Sequence, residues 1–475
     1  MPAKRTKDYG MDQLRGHNDK EEEEYTVEEA IDFIGIGRFQ IIALFILIIG
    51  WTSDSMEILV LSVLEPELLC AWNLSVVQTS MLSFLTFLGM TFQSSLWGIL
   101  SDKFGRLFQL KLAAVLMLVF GILCSAVPTF VWLVIIRFFV GGLIAGFHQS
   151  IPIVPEFVPR NRRGTFVWLL NLSFAIGGGF AVGIAWLVMP SWGWRAYLAI
   201  CTLPSLIFLI LCQWLPESPH FYMSSGRPEK AMEVLRHIAK MNGKPLPPGK
   251  LKKNHVSERR GEYVELVSTP FLKKMTILLP ALWFITSFVL YGVVFLSSTL
   301  LKSENPCSSC VISDFECHDE CSRMTSEAYL SLFIVSLADM PGVVFASLTI
   351  DVYGRKFLLC GGAILSALAS ASLMTCWENR IFTTVCIFIS RGAIDVTFIT
   401  LFVYTPEVYP TRVRALSVGV CNGCARLGAA LTPLVAQILS RYTPQLSLLI
   451  YAICSTFCFI GCLFLPETKG KPIPT

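Results

Sequence analysis

The segment Gly98-Ile-Leu-Ser-Asp-Lys-Phe-Gly-Arg106 indicates how the chain is organised, because a matching segment, Ile350-Asp-Val-Tyr-Gly-Arg-Lys356, occurs later in the sequence. Each copy follows one long apolar segment and precedes another. A second pair of motifs, Pro155-Glu-Phe-Val-Pro159 and Pro406-Glu-Val-Tyr-Pro410, repeats at almost the same offset, which is about 250 residues. An internal repeat of this length in an apolar chain indicates two homologous bundles of membrane helices.

The composition indicates a membrane environment. Hydrophobic residues make up 54% of the 475 residues and charged residues only 15%, with a mean hydropathy of +0.61, which is not the composition of a soluble globule. Runs long enough to cross a bilayer recur about twelve times, at 39–63, 77–100, 110–128, 131–153, 166–189, 194–214, 275–300, 327–350, 357–376, 381–404, 415–439 and 444–465. We therefore predict an all-α membrane protein of twelve transmembrane helices in two pseudo-symmetric six-helix bundles.

Basic residues predict the orientation. Lys and Arg concentrate in alternate loops, and the positive-inside rule places those loops and both termini in the cytosol. The net charge of +4 is thus a topology signal and gives no reason to expect nucleic-acid binding. The predicted parts are a cytosolic segment 1–37, an N-terminal bundle 38–214, a cytosolic linker 215–274 with an amphipathic helix from about Pro228 to Met241, a C-terminal bundle 275–466 with an outer loop 301–326, and a cytosolic tail 467–475.

The N-terminal segment contains one local structural signal. Thr26-Val-Glu-Glu29 has the pattern of a capping box, in which two side chains satisfy backbone donors at the start of a helix. It predicts a short amphipathic helix through Ala30, Ile31 and Phe33 that leads into the first span. The alternative is a solvated tail.

Four of the sixteen cysteines lie together in the predicted outer loop, at Cys307, Cys310, Cys317 and Cys321. Two disulfides are the favoured interpretation because an outer loop faces an oxidising space, and the sequence leaves all three pairings open. A zinc site that includes His318 is the alternative. Most of the other cysteines fall in predicted spans, where cysteine behaves as a small apolar residue.

Charges inside the predicted spans are candidates for function because they are costly to keep in a membrane. Asp54 and Glu57 are three residues apart in span 1 and share a helix face. They predict either a proton or cation site or an ion pair with a neighbouring helix. Arg137 in span 4 is interpreted as a partner for an acid or for helix-end carbonyls. Arg391 and Asp395 in span 10 are four apart, and we expect them to pair with each other.

The repeated loops predict a gate on the cytosolic side. Asp102 and Asp351 each end a span, where a carboxylate can meet the positive N-terminus of a helix in the opposite bundle. The basic residues that follow can pair with the glutamates of the two Pro-Glu motifs, and such contacts must break for that side to open. The residues assigned to this gate are Asp102, Arg106, Glu156, Asp351, Arg355, Lys356 and Glu407.

These motifs resemble the major facilitator superfamily over almost the whole chain. The resemblance rests on the repeated loops, the Pro-Glu motifs, Arg137-x3-Gly141-Gly142 and Pro216-Glu-Ser-Pro219. More narrowly, the stretches that begin at Thr26, Trp51 and Tyr404 resemble the synaptic vesicle protein 2 group, and within it the SVOP-like branch. Two positions depart from the superfamily pattern, since Leu107 replaces a basic residue and His220 replaces an arginine. The resemblance implies a secondary transporter that works by alternating access.

Arg426 in span 11 is the most specific single residue. In related organic ion carriers the matching position is Arg in anion carriers and Asp in cation carriers, so the resemblance implies an anionic substrate. A guanidinium binds a carboxylate in a bidentate manner. The alternative is a structural pair with Asp54 or Glu57. Trp51 and Tyr291 are the aromatic residues assigned to the substrate cavity.

The sequence predicts a transporter rather than an enzyme. We find no phosphate-binding loop, metalloprotease helix or serine triad in it, and we assign no cofactor and no metal site. The predicted function is secondary active transport of a small organic ion, most simply an anion, with a proton as the candidate coupling ion. We expect a monomer in the lipid bilayer of the plasma membrane or an intracellular vesicle. The alternative is a receptor or vesicle regulatory protein that keeps the scaffold without transporting.

Overall fold

The protein is described here from a computed structural model that covers residues 24–148, 150–252, 263–302, 324–375, 379–440 and 443–470. Its helices are α1 (Val27–Ile34), α2 (Arg38–Ala71), α3 (Val76–Phe104), α4 (Arg106–Ala126), α5 (Phe130–Phe147), α6 (Ser150–Phe157), α7 (Arg163–Cys201), α8 (Leu203–Leu211), α9 (Pro219–Ser224), α10 (Pro228–Asn242), α11 (Pro270–Lys302), α12 (Ser326–Ser336), α13 (Asp339–Tyr353), α14 (Arg355–Ser372), α15 (Arg380–Val408), α16 (Thr411–Pro433) and α17 (Pro444–Leu463). A π-helical segment, Leu434–Leu439, follows α16. Short 3-10 helices lie at Arg160–Arg162, Cys212–Trp214, Tyr263–Val267 and Leu373–Thr375, and two short strands, β1 (Glu24–Tyr25) and β2 (Lys250–Leu251), pair in parallel.

The helices provide twelve membrane passes. Ten helical segments of the described chain are long and apolar enough to cross a membrane. One of them, Arg160–Trp214, supplies two passes, because Gly193 interrupts α7 with a φ of 75° and a ψ of 177°. The remaining pass is α3, whose 29 residues reach about 43 Å at about 1.5 Å per residue. The predicted twelve-span membrane fold is therefore confirmed.

The two repeated loops lie on the same side of the membrane. The first joins α3 to α4 and the second joins α13 to α14. An even number of passes separates them, so the chain returns to the side on which it started. We call this face the loop side and the other face the opposite side. The linker helix α10 also lies on the loop side, where Asn242 accepts a hydrogen bond from the backbone N–H of Phe39 at 3.0 Å.

Glycines allow α3 and α5 to pack backbone against backbone. A Cβ atom at Gly89 would lie 1.9 Å from the carbonyl oxygen of Phe138, and one at Gly141 would lie 1.9 Å from that of Thr86. Side chains at these two positions would force the helices apart. Small residues are favoured between membrane helices for this reason, since close packing replaces the hydrophobic effect as the source of attraction.

A third repeated motif, which contains Glu217 in the first half of the chain and Glu467 in the second, binds the backbone of both repeated loops. Glu217 accepts hydrogen bonds from the backbone N–H groups of Leu107 and Phe108, which begin α4. In the second half of the chain, Glu467 accepts from the backbone N–H groups of Arg355 and Lys356, which begin α14, at 3.0 Å each. Each glutamate thus satisfies a helix N-terminus that the side chains of its own helix leave open.

Each repeated loop requires its glycine for two separate reasons. Gly105 and Gly354 have φ values of 111° and 90°, a region that L side chains avoid. A Cβ atom at Gly105 would also lie 2.3 Å from a carboxylate oxygen of Glu217, and one at Gly354 would lie 2.7 Å from Glu467. The sequence analysis did not pair these glutamates. The signal was available, because Leu465-Pro-Glu-Thr468 matches Leu215-Pro-Glu-Ser218 at the offset of the other repeats.

Replacing Glu467 by glutamine should destabilise the protein at neutral pH and not at acidic pH. Partial burial raises the pKa of Glu467, but backbone N–H groups, among them those of Lys469 and Arg355, outweigh it and leave the pKa below the ordinary 4.5. The carboxylate therefore stabilises the fold fully at pH values above 4.5, and this contribution is lost as the pH falls through the lowered pKa. We expect a loss of about 1 kcal/mol at neutral pH.

Thermal unfolding of purified protein in detergent, followed across pH, measures this effect. Glu233→Gln, on the exposed face of α10, is the matched control and should leave the midpoint unchanged at every pH. A Glu467→Gln protein with the wild-type midpoint at neutral pH would contradict the capping role.

The N-terminal helix and the linker helix form as predicted, with one difference. Thr26 and Glu29 make both hydrogen bonds of the capping box, at 2.8 and 3.2 Å. Ala30 and Ile31 are buried, but Phe33 is exposed, because it lies on the other face of α1. The linker helix α10 buries the apolar face that its spacing predicted, which consists of Ala231, Val234, Leu235 and Ile238.

The structure describes eleven of the sixteen cysteines. Cys307, Cys310, Cys317 and Cys321 lie outside the described residues, and their pairing stays a prediction. Ten of the described cysteines are free thiols, most of them buried, as expected for span cysteines. Cys70, near the end of α2, is instead disulfide-bonded.

Candidate functional site

A cavity of about 310 Å³ lies between the two bundles. Aromatic and aliphatic side chains form most of its wall, and a few polar groups converge on it, which is the usual character of a small-molecule site. From the N-terminal bundle it is lined by residues of α2, α3 and α7 together with His148, and from the C-terminal bundle by residues of α11, α13, α15 and α16. It extends to Arg163 and Gly164, at the loop-side end of α7, where Gly164 is exposed.

Arg426 places a positive charge in the wall of this cavity. The side chain lines the cavity and the residue is 7% exposed. Its Nη1 donates to the carbonyl oxygen of Met90 in the other bundle at 3.4 Å. Asp54 is near enough to interact with it electrostatically, yet among the described residues no carboxylate lies within 4.0 Å of its nitrogens. Trp51 and Tyr291 line the same cavity, as the sequence analysis assigned them.

Asp54 lies just behind the cavity wall and is fully buried. Its Oδ2 is 3.4 Å from Nδ1 of His148, and neither of its carboxylate oxygens has a hydrogen-bond partner among the described residues. His148 also contacts Trp51, with ring centroids 5.0 Å apart. His148 was not among the residues predicted from the sequence. The available signal was its spacing of eleven residues from Arg137, which is about three helical turns and places both on one face.

Glu57 does not line the cavity. Its Oε2 is 2.8 Å from Nη1 of Arg137, and the two side chains are 2% and 1% exposed. Asp54 and Glu57 do share a face of α2, as predicted, but that face meets α5, where one acid contacts His148 and the other Arg137. Arg137 is therefore the partner of an acid, in agreement with its structural interpretation.

The expected pair between Arg391 and Asp395 is wrong. Arg391 binds Asp339 of α13 through two parallel hydrogen bonds, Nε to Oδ1 at 2.9 Å and Nη2 to Oδ2 at 2.7 Å. The planar guanidinium fork is satisfied best by both oxygens of one carboxylate, and a facing helix presents them. Asp395 remains close enough to interact electrostatically with both members of this pair.

Six of the seven charged residues assigned to the gate form ion pairs within their own bundles. Arg106 is 2.8 Å from Asp102 and 3.4 Å from Glu156. The second copy repeats this arrangement, and Arg355 is 3.0 Å from Asp351 and 2.9 Å from Glu407. Lys356 differs from the expectation, because its Nζ donates to the carbonyl oxygen of Leu463 at 2.7 Å and not to a carboxylate of a Pro-Glu motif.

Four hydrogen bonds join the two bundles within the described part of the chain. Arg426 to Met90 lies beside the cavity. The other three lie towards the opposite side and are Gln437 to Glu65, Trp186 to Ser326, and Tyr329 to Met189. The bundles are thus held together on the opposite side, while the cavity reaches the loop side.

Glu65 was not among the charged residues that the sequence placed inside a span. The apolar run ends at residue 63, so we placed Glu65 beyond the span, but α2 continues through Pro66 to Ala71. Glu65 is 5% exposed and accepts hydrogen bonds from Ser83 and from Gln437 of the other bundle. Gln437 lies in the π-helical segment after α16, an irregularity that often marks functional positions.

Comparisons with known proteins agree with this architecture. Residues 16–474 match the family described as "Sugar (and other) transporter". The chain is 37% identical over 453 residues to the synaptic vesicle 2-related protein of Rattus norvegicus, covering 94% of this chain and 82% of that protein. It is 32% identical over 492 residues to the organic cation/carnitine transporter 7 of Arabidopsis thaliana, covering 94% and 96%. Identity to the human relative SVOPL is 30% over 467 residues, covering 96% and 94%.

One group of solved structures shows the same fold. The proton:xylose symporter XylE of the major facilitator superfamily superimposes with a TM-score of 0.68 at 20% identity, over 92% of this chain and 98% of that one. The predicted superfamily and the resemblance to the synaptic vesicle protein 2 group are thereby confirmed, and the family match agrees with a transporter rather than an enzyme. By its repeats, its central cavity and a family match over nearly its whole length, the chain belongs to the Sugar (and other) transporter family of the major facilitator superfamily.

Proposed function

We propose that this transporter carries a small organic solute with a carboxylate group, which binds to Arg426 in the cavity between the bundles. One observation carries the proposal: a buried guanidinium lines the cavity and has no carboxylate within salt-bridge distance among the described residues. A buried charge without a close partner is costly, and a substrate carboxylate would supply the missing partner. The aromatic groups Trp51 and Tyr291 would pack against the rest of the solute.

We propose alternating access as the transport mechanism. The cavity reaches the loop side while Gln437 and Glu65 join the bundles on the opposite side. The reverse state would break that contact and bring the loop-side ends together, where the repeated loops carry their charged groups. We assign the loop side to the cytosol, because Lys and Arg concentrate there. An intracellular vesicle is our proposed resident membrane, because the rat relative is a synaptic vesicle 2-related protein.

Asp54 is our candidate for proton coupling. It is fully buried, and neither of its oxygens has a hydrogen-bond partner in the described chain. The groups around it that carry or can carry charge are His148, Glu57, Arg426 and Tyr291. Glu57 is already paired with Arg137, so Asp54 is the acid of span 1 that remains available to exchange a proton as the cavity opens and closes.

Replacing Arg426 by alanine should remove uptake of carboxylates and leave the fold intact. Charge-assisted hydrogen bonds are worth about 1.5–3 kcal/mol each, so we expect a loss in binding of roughly a hundredfold. Uptake of labelled organic acids into proteoliposomes, with and without a proton gradient, measures the effect. Arg412→Ala, at an exposed loop-side position, is the control and should transport normally. Asp54→Asn should bind the same acids but lose the dependence of uptake on pH.

A specific result would overturn this assignment. If Arg426 only neutralises Asp54, Arg426→Ala alone would be unstable, and the double variant with Asp54→Asn would recover expression and thermal stability. A wild-type protein that moves no organic acid under any gradient would favour the alternative of a receptor on a transporter scaffold.

A further inference from the structure

The cavity has a second charged region, which the proposed function does not use. Asp339 at the start of α13 and Asp395 in the middle of α15 both line the cavity. Arg391 lies behind them. Asp339, Asp395 and Arg391 are 5%, 8% and 2% exposed, so two carboxylates in the cavity wall and one guanidinium behind it are buried together.

The three charges do not satisfy one another. Both oxygens of Asp339 are used in the bidentate pair with Arg391. Asp395 receives no hydrogen bond from that arginine, and its Oδ2 is buried without any hydrogen-bond partner among the described residues. If the cluster were a purely structural triad, the second carboxylate would be bonded to the arginine. A buried carboxylate oxygen without a donor is costly, and native structures rarely keep one without a reason.

The surroundings of Asp395 suit a cationic group. The cavity wall next to it includes Phe398 and Phe402, whose rings meet edge to face at 5.2 Å, and aromatic rings attract cations. Tyr291 lines the same cavity and lies close to both charged regions, near Arg426 of the first and Asp395 of the second. One small ligand in this cavity can therefore reach both a guanidinium and an excess carboxylate.

We propose that Asp395 forms a subsite for the ammonium group of the ligand, so that the transported solute is a zwitterion whose carboxylate binds Arg426. The inference rests on the proposed function for the carboxylate end and adds the cationic end. Asp339 and Arg391 act as positioning residues, because their pair holds α13 against α15 and keeps Arg391 away from Asp395. The subsite is then free to accept a hydrogen bond from an ammonium donor.

The first test measures the local charge without any ligand. A cysteine is introduced at Ile399, one turn from Asp395, or at Asn422, one turn from Arg426, and both positions line the cavity. Each protein reacts with a methanethiosulfonate that carries either trimethylammonium or sulfonate, and the parent chain gives the background of native thiols. Asp395→Asn should lower the cation-to-anion ratio of rates at position 399 by roughly tenfold and leave the ratio at position 422 unchanged. An unchanged ratio at position 399 would overturn the subsite.

The second test uses matched ligands. ω-Amino acids of increasing length are compared with the unsubstituted acids of equal length, in which a methyl group replaces the ammonium, and with the methyl esters of the amino acids. Binding is measured by thermal shift of the purified protein. The wild type should prefer an amino acid to its unsubstituted acid by roughly tenfold, and Asp395→Asn should remove this preference while the melting temperature without ligand stays near that of the wild type.

The outcomes separate the two proposals. If amino acids and unsubstituted acids bind equally well, the cationic subsite is wrong and the carboxylate site stands. If amino acids and their esters bind equally well, and Arg426→Ala changes nothing, the carboxylate site is wrong and the cationic subsite stands. If no amino acid of any length binds, the zwitterion assignment is overturned. Asp339→Asn should lower stability instead, because it breaks a buried ion pair.

Discussion

Removing either member of the buried pair between Glu57 and Arg137 should lower the free energy of unfolding by about 3–5 kcal/mol. The two side chains are 2.8 Å apart and almost completely buried, so each single change leaves an uncompensated charge. Glu57→Leu should cost more than Arg137→Met, because a lone glutamate can take up a proton whereas a lone arginine cannot lose one. The double variant with both apolar residues should recover most of the loss. Thermal unfolding in detergent gives the ranking.

The surface pair between Glu327 and Arg380 provides the matched control. Its atoms are 3.0 Å apart, but Glu327 is 81% exposed, and exposed pairs are worth less than about 1 kcal/mol. Glu327→Leu should therefore have little effect. A double variant as unstable as Glu57→Leu alone would show that these side chains do more than neutralise each other. A stable double variant that still takes up solute in a pH-dependent manner would leave Asp54 as the proton carrier of span 1.

Replacing Gly179 by tryptophan should abolish transport and leave the protein folded. Gly179 of α7 faces the other bundle, where a Cβ atom would lie 2.8 Å from Cδ2 of Leu337. A tryptophan cannot fit while α7 and α12 stay packed, so the bundles would separate on the opposite side. The expected state has the cavity closed on the loop side. A cysteine at Gly164, exposed at the cavity mouth, should then react more slowly with a thiol reagent added from the loop side.

Gly361→Trp is the control for this change. Gly361 lies in α14 with nothing within 4 Å of a Cβ atom, so a large side chain there meets open space, and both transport and labelling at position 164 should match the wild type. Normal transport by Gly179→Trp would show that contact between α7 and α12 is not part of the transport cycle. The melting temperature of the Gly179→Trp protein shows whether it is folded. If it is misfolded, the experiment is repeated with Gly179→Leu, which introduces a smaller side chain.

The sequence alone determined the fold because the relevant signals are local or repeated. Apolar runs of span length report on the solvent around a helix, and they do not depend on which helix is the neighbour. The repeats at Gly98–Arg106 and Ile350–Lys356 established two homologous bundles without any knowledge of packing. The capping box at Thr26 and the buried face of α10 were predicted for the same reason, since both involve residues within one or two helical turns.

The sequence also identified which side chains matter at the site, but not all of their partners. Arg426, Trp51 and Tyr291 do line the cavity, and charges in spans were the correct group to examine, because the membrane makes them costly. The predicted end of span 1 was wrong, because it stopped before Glu65. An apolar run ends where polar residues begin, whereas a helix ends only where its backbone hydrogen bonds end.

Only the tertiary structure decided which charges pair. Within one helix, Arg391 and Asp395 are the obvious partners, yet Arg391 binds Asp339, and Glu57 binds Arg137 while Asp54 meets His148. Pairing across helices depends on how each helix is rotated about its axis, and a shift of one residue turns a side chain by about 100°. That rotation is set by close contacts such as those at Gly89 and Gly141, which involve residues far apart in the chain. The unpartnered oxygen of Asp395 therefore becomes visible only when the helices are packed together.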